Sequence, residues 1–199
     1  MIRRNSTVLP GTAAALLSVL LLGGCVEAIV VGGVATGVVM AADRRNAEVV
    51  AGDERVELTA LSRIGDRFGD KVHVNATSFN YNVLLTGEVP DANTKSEIEK
   101  VVLGVPQVKS VVNELQVGAL SSMSARGNDT YLTGKVKSSF VTENKFQVNY
   151  VKVVTEASVV YLLGMVTRKE ADDATAIARS TSGVSKVVRV FEYLNQTPR

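Results

Sequence analysis

The feature that most constrains the fold of this chain is an internal repeat. The stretch Leu-Leu-Thr-Gly-Glu-Val at 84–89 returns as Leu-Leu-Gly-Met-Val at 162–166, and the Gly-Val pair at 104–105 returns at 183–184. A two-residue insertion between these landmarks aligns the copies. Self-similarity at this spacing indicates two copies of one supersecondary unit, each the size of a small domain.

The pattern of the first copy reads helix-strand-strand-helix-strand. Leu61, Ile64 and Phe68 recur at helical spacing, which predicts an amphipathic helix with one buried stripe. Alternating apolar residues then predict a hairpin with one face on a core. The predicted elements are a helix over 53–68, strands over 72–77 and 83–89 about a turn at 80–82, a helix from Pro90-Asp91 to Gly104, and a strand over 108–117.

The second copy follows the same order. Leu132, Val136 and Phe140 recur on its first helix, and Thr167 to Glu170 has the form of a capping box. In each copy, two helices are expected on one face of a three-stranded sheet, which makes the chain an α/β protein of the α+β sandwich type. The further elements are strands over 146–155 and 158–166, a helix packed through Ala171, Ala174 and Ala178, and a strand over 186–194.

The amino-terminal segment has the features of an export signal. Two arginines precede an apolar run over 13–22, and the run leads into Leu-Gly-Gly-Cys. That ending resembles the bacterial lipobox, so we expect Cys25 to be acylated after removal of residues 1–24. Several acyl chains hold a protein firmly, whereas a run this short does not span a bilayer. Val26 stands where an Asp would resemble the inner-membrane retention signal, so we expect an outer-membrane protein facing the periplasm.

The expected organisation has five parts. The apolar segment over 26–42 is interpreted as a tether that lies in the headgroup region, with a short membrane-inserted helix as the alternative. The predicted parts are a signal peptide over 1–24, a lipidated cysteine and tether over 25–45, a first domain over 46–117, a linker over 118–126 and a second domain over 127–196.

The composition offers few candidate catalytic residues. The single cysteine is assigned to lipid, and His73, the only histidine, lies at an outward-facing position of its predicted strand. The spacing of the remaining polar residues suggests no nucleophile, paired acid and base, or multi-histidine metal site. Removal of residues 1–24 takes the formal charge from +2 to zero. We therefore expect no enzymatic activity, no cofactor or metal, and no nucleic-acid partner.

Particular residues resemble the BON domain, a small α/β module. They are the glycine in the second strand of each copy, Gly87 and Gly164, and the spacing of Val105, Val108 and Val111. The second copy departs from that spacing, with valines at 184, 187, 188 and 190. From lipobox to final strand, the chain resembles dual-BON outer-membrane lipoproteins. This resemblance implies a role in envelope integrity, enrichment at division sites through anionic lipid, and links to outer-membrane protein assembly.

The two recurring glycines are predicted to be structural. A glycine inside a strand permits a bulge or the close approach of another backbone. In both copies, the packed helix is the expected neighbour of this glycine.

The first helix of the second domain offers the best binding surface. Tyr131 and Val141 lie off its buried stripe, near Lys135, Ser138 and Lys145. An aromatic ring beside lysines suits a lipid interface, but the residues alone equally allow a solvated face with Tyr131 packed at the helix end. The resemblance implies that the second domain recognises anionic phospholipid. The alternative function is a protein-interaction adaptor, in which the exposed helix of the second domain docks a partner, for example the outer-membrane assembly machinery or the first domain.

Overall fold

The computed structural model describes residues 43–194. Cys25, the predicted signal peptide over 1–24, the predicted tether over 26–42 and the last five residues lie outside the described residues. Within 43–194, no helix is both long and apolar enough to cross a membrane.

The first domain has the predicted order of elements. Its core lies between two helices and one face of the sheet, and includes Val56, Val83, Leu85 and Ile98. The elements are α1 (Ala47–Phe68), a 3₁₀ turn (Gly69–Lys71), β1 (His73–Phe79), β2 (Asn82–Val89), α2 (Ala92–Leu103), β3 (Ser110–Asn113) and β4 (Gln116–Val117).

The second domain repeats this plan. Its core includes Val136, Phe140, Val160 and Leu162, and the ring of Phe140 meets that of Phe146 edge to face. The elements are α3 (Met123–Glu143), a 3₁₀ turn (Val148–Tyr150), β5 (Lys152–Glu156), β6 (Val159–Val166), α4 (Arg168–Ser180) and β7 (Lys186–Tyr193).

Both sheets are mixed, with the second strand of the hairpin at the centre. β2 pairs antiparallel with β1 and parallel with β3, and β6 does the same with β5 and β7. The predicted strand over 108–117 is interrupted: β3 and β4 both pair with β2, and Leu115 between them is buried in the core. The two domains and the α+β class are therefore as the sequence predicts.

The first helix of each domain begins earlier than predicted. Asn46 caps α1, because its side chain accepts a hydrogen bond from the Val49 amide, and Ser122 caps α3 through the Ala125 amide. α3 thus begins inside the segment 118–126 that was predicted to be a linker. Its first turn carries the exposed Met123, so no apolar period marks it in the sequence.

The buried stripe of α1 differs from the prediction in one residue. Val56, Ala60 and Ile64 face the core at i, i+4 and i+8, whereas Leu61 is 39% exposed. Because successive helical residues are turned by about 100°, Leu61 cannot share a face with Ala60. In α3, the predicted stripe of Leu132, Val136 and Phe140 is buried, and Thr167 and Glu170 form the predicted capping box.

The hairpins are covered on both faces, which the sequence did not predict. Helices cover one face of each sheet, and the sheet of the other domain covers the opposite face. Phe79 and Leu84 of the first domain pack with Tyr161 and Leu163 of the second. Burial of such side chains contributes about 1.5–3 kcal/mol each, which stabilises the contact between the domains. Burial also raises the pKa of Tyr161 to about 12.

The recurring glycines lie where another backbone passes, but that backbone is not a helix. A Cβ at Gly87 would collide with the carbonyl oxygen of His73 on the paired strand, and Gly87 has a φ of +116°. A Cβ at Gly164 would collide with the carbonyl oxygen of Tyr150, which precedes β5. The expected approach of a packed helix is therefore wrong, because the paired strand β1 fills the space at Gly87 and the turn before β5 fills it at Gly164.

Candidate functional site

The outer face of α3 presents the residues that the sequence singled out for lipid binding. Tyr131 is 67% exposed and Val141 is 64% exposed. Ser138 is exposed and lies about two turns beyond Tyr131, so both project from one side of the helix. The opposite side is fixed against the core by its apolar stripe. The structure therefore leaves a ring and a valine side chain in solvent on a helix that cannot rotate to bury them.

The lysines of this face are partly engaged with their own domain. Lys135 is half-buried, and its ammonium donates a 2.5 Å hydrogen bond to the Ser182 carbonyl while lying 5.8 Å from the centre of the Tyr131 ring. Lys145 lies beyond the end of the helix, and its ammonium is 3.7 Å from the exposed carboxylate of Glu143. The face is therefore mildly basic, with Lys135 held close to Tyr131.

A buried aspartate fixes α3 to the hairpin beneath it. The carboxylate of Asp129 accepts hydrogen bonds from the amides of Ala157 and Ser158, at 2.9 and 2.8 Å. Both residues have positive φ, which is unfavourable for side chains with a Cβ, and these two bonds help to hold the turn. Asp129 thereby positions the neighbouring turn of α3 that carries Tyr131.

Asp53 performs the same task in the first domain. Its carboxylate accepts hydrogen bonds from the amides of Asn80 and Tyr81 and from the Ser78 hydroxyl. Sequence reasoning missed both aspartates, although a signal was present. In each copy the aspartate precedes the buried stripe at a fixed spacing, with apolar residues three, seven and eleven positions later.

Two arginines at the end of the predicted tether connect the domains. Arg44 makes a two-pronged ion pair with Glu170, donates a 2.6 Å hydrogen bond to the Met165 carbonyl, and stacks 3.6 Å from the centre of the Tyr150 ring. The hydrogen bond from Arg44 holds the pKa of Glu170 below its usual value. Residues 43–45, expected to be tether, therefore belong to the folded region.

Arg45 makes the corresponding contacts with the first domain. Its guanidinium lies 2.8 Å from the buried carboxylate of Asp53 and 3.9 Å from the centre of the Phe79 ring. We call Arg44 and Arg45 the arginine strap.

His73 lies between the domains and not in the outward-facing position expected from the alternation. Its Nδ1 is 3.0 Å from Oε2 of Glu88 and 4.0 Å from Oε1 of Glu156. The expectation failed because β1 was assigned one solvated face, and the second domain covers part of that face. A cavity of about 400 Å³ adjoins the histidine and is lined by both domains.

The two carboxylates at His73 differ in their ionisation. Burial opposes the charge on Glu88, but hydrogen bonds from the Ser121 amide and from His73 outweigh it and lower its pKa. Burial raises the pKa of Glu156, although Asn75 donates a hydrogen bond to it. These three side chains, His73, Glu88 and Glu156, are the described residues whose ligand atoms are close enough to hold a metal ion.

Together these features define a class, a two-domain α+β protein with one exposed, lysine-flanked helix. Residues 59–119 and 128–195 each match the family model described as the BON domain. The chain belongs to the BON-domain family, and it is an outer-membrane lipoprotein. The predicted family and location are confirmed.

Comparison with known proteins gives full-length and partial relatives. The outer membrane lipoprotein DolP of Haemophilus influenzae is 37% identical over 176 residues, which cover 87% of this chain and 91% of that protein. The 21 kDa hemolysin of Actinobacillus pleuropneumoniae is 27% identical over 154 residues, covering 76% and 79%. Osmotically-inducible protein Y of Escherichia coli is 33% identical over 108 residues, covering 53% and 54%.

Proposed function

We propose that this lipoprotein binds anionic phospholipid through the outer face of α3 and has no enzymatic role. The observation that supports the proposal is the exposure of Tyr131 and Val141 on a helix whose other side is fully packed. A tyrosine ring is amphipathic and partitions into the headgroup layer, where its hydroxyl stays hydrated. Neighbouring ammonium groups can then meet lipid phosphates.

The charge of this face determines how strongly lipid binding should depend on salt. Each basic residue near an anionic surface contributes about 1 kcal/mol, and the contribution falls off within a Debye length. Because Lys135 and Lys145 already have partners in the protein, the electrostatic share should be modest and the tyrosine should contribute strongly. A lipid anchor at Cys25 adds to this weak affinity, since the acyl chains keep the domain close to a membrane.

The cellular role we propose follows the resemblance to dual-BON lipoproteins and the similarity to the DolP protein of H. influenzae. A lipid-anchored protein that also binds anionic phospholipid through α3 would accumulate where this lipid is enriched. We infer that this places the protein at division sites, where it supports envelope integrity.

Vesicle binding tests the proposal. Residues 26–199, which lack the cysteine and its acyl chains, are mixed with phosphatidylglycerol or phosphatidylcholine vesicles, and co-sedimentation is measured at low and high salt. We expect binding to the anionic vesicles only, weakened by salt and lost in Tyr131→Glu. Leu58→Glu is the matched control, because Leu58 is 69% exposed on α1 and should not contribute. Equal binding to both vesicles, or undiminished binding by Tyr131→Glu, would refute the proposal.

A protein-interaction adaptor is the competing function, and exposed Leu58 and Leu61 on α1 favour it specifically. A site for the outer-membrane assembly machinery should survive removal of anionic lipid. Capture of the assembly machinery in detergent by the wild-type protein and by Tyr131→Glu, but not by Leu58→Glu, would favour the adaptor over the lipid reader.

A further inference from the structure

The cavity between the domains contains a set of side chains that the lipid proposal does not use. His73 and Asn75 come from the first domain, and Glu156 and Asp129 from the second. Glu88 is the β2 residue paired with His73, and its carboxylate accepts a hydrogen bond from the Ser121 amide. The cluster therefore joins two domains of one chain at a single point.

The geometry of three ligand atoms suits a small metal ion. One nitrogen of His73 and one oxygen each of Glu88 and Glu156 lie within 4.8 Å of one another. Two of the separations are 3.0 and 4.0 Å. A tetrahedral Zn²⁺ with bonds of about 2.0–2.1 Å places its ligands about 3.3 Å apart, so small side-chain rotations complete the site.

Glu156 supplies an independent indication. Its side chain is only 6% exposed, and its one hydrogen bond from the described residues is from Asn75 to Oε2. Oε1 faces His73 at 4.0 Å and receives no hydrogen bond within residues 43–194. A charged carboxylate on a side chain this little exposed is unfavourable unless a cation or proton meets it, and Glu156 lines the cavity where a cation could reach it.

The charges around the cavity are predominantly negative. Glu88, Glu156 and Asp129 are acidic, and Arg126, which donates to the Ser121 hydroxyl, is the one basic residue that lines the described cavity. A bound dication would offset this imbalance. No metal site was predicted from the sequence, because the chain has a single histidine. The sequence does not show that the fold brings Glu156 of the second domain to within 4.0 Å of this histidine.

We propose that His73, Glu88 and Glu156 bind a divalent transition metal of the zinc type, with the fourth position open to water in the cavity. One imidazole and two carboxylates form a ligand set that such metals accept. The Ser121 amide and the Asn75 side chain orient the two carboxylates from outside the site. The metal connects the two domains, because Glu156 belongs to one and the other two ligands to the other.

Cobalt absorbance is the direct test. Tag-free protein is stripped with chelator and titrated with Co²⁺, whose visible bands report four-coordinate binding, and Zn²⁺ is then added as competitor. We expect one equivalent of Co²⁺, displaced by Zn²⁺, and an unfolding temperature that rises with zinc concentration. His73→Gln and Glu156→Gln should weaken binding by at least the roughly 10–100-fold typical of losing even a supporting group. Glu192→Gln is the matched control, since Glu192 also bridges the domains, through Asn80 and Asn82.

A second measurement does not depend on folding of the variants. His73 is the only histidine, so its imidazole resonances are unambiguous in the NMR spectrum of the wild-type protein. Zinc should shift them at one equivalent. Unshifted resonances, or cobalt bands that persist undiminished in folded His73→Gln, would overturn the proposal.

Discussion

The first helices of the two domains have the same inner face and different outer faces. Toward the sheet, α1 and α3 each present a buried aspartate followed by three apolar residues at matching positions. Over the whole helix, α1 carries five acidic and three basic residues, whereas α3 carries two acidic and three basic ones. The shared inner pattern is therefore what the fold requires, and the outer difference is the reason that α3 and not α1 is the helix proposed to bind an anionic surface.

The third strands show a second difference. β7 pairs with β6 over eight residues, whereas β3 and β4 together pair with β2 over six. Asn113 at the end of β3 donates to Glu99 and to the Lys95 carbonyl of α2, and the chain then turns Leu115 into the core. The same fold can therefore have a continuous or an interrupted third strand. The fold constrains this strand less than it constrains the hairpin.

The largest effect is expected at the glycines, where the two domains should respond alike. Gly164→Ala would force a methyl group into the carbonyl oxygen of Tyr150, a backbone atom just before β5 that has to shift to make room. We expect a loss of about 3 kcal/mol or more in the free energy of unfolding, measured in urea. Gly87→Ala should cost at least as much, because Gly87 also has positive φ.

Gly134→Ala is the control for the glycine substitutions. Gly134 lies in α3 with open space around it, so alanine should stabilise by about 1 kcal/mol through helix propensity. An unchanged unfolding free energy for Gly164→Ala would show that the sheet can relax around the methyl group.

Replacing the buried aspartates should lower the free energy of unfolding by different amounts in the two domains. Asp53 accepts hydrogen bonds from three groups of the hairpin and pairs with Arg45, whereas Asp129 accepts two amide bonds. A hydrogen bond to a charged group contributes about 1.5–3 kcal/mol net, and bonds that share one carboxylate do not add fully, so we expect Asp53→Ala to lose about 3 kcal/mol and Asp129→Ala about 2. Urea unfolding of both variants measures this. The reverse order would mean that the additional partners of Asp53 do not add stability.

The shared features were also the ones that the sequence could predict. Apolar periodicity identified the α3 stripe, and Thr167 with Glu170 identified the start of α4, because both are local patterns. The environment of His73 and the contacts of Arg44 depend on packing between domains, which periodicity within one strand does not encode. The exposure of Tyr131 could be predicted, because it follows from the position of Tyr131 on the helix. The hydrogen bond from Lys135 to the Ser182 carbonyl could not, because those residues are far apart in the sequence.

The arginine strap should contribute less than the aspartates. The Arg44–Glu170 pair is partly exposed, so its ion-pair contribution is about 1 kcal/mol. We expect Arg44→Ala to lower the unfolding free energy by this amount. Arg44→Lys should recover only part of it, since lysine lacks the two-pronged geometry. A full recovery by lysine would show that charge alone matters at this position.

The Arg44–Glu170 pair should make the difference in unfolding free energy between wild type and Arg44→Ala depend on pH. Because the folded pKa of Glu170 is lowered, its contribution is complete above the ordinary value of 4.5 and is lost as pH falls through the folded pKa. The unfolding free energies of the two proteins should therefore differ at neutral pH and converge below about pH 4.5. The raised pKa of Glu156 has the opposite sign, with stability gained as pH falls, but it acts in both proteins and cancels in the difference. A constant difference down to low pH would assign the effect of Arg44 to packing on Tyr150.

The smallest effect on stability is expected at Tyr131, where the difference between the helices matters most for function. If the ring packed at the helix end, Tyr131→Ser would lose the free energy of burying an aromatic side chain. With the ring 67% exposed, we expect a change below about 0.5 kcal/mol, as for other surface substitutions. Tyr161→Ser, in the interface between the sheets, is the buried comparison and should cost several times more. Near-equal losses for the two tyrosines would mean that α3 buries its outer face in the protein, and the difference between the domains would then concern packing and not a membrane.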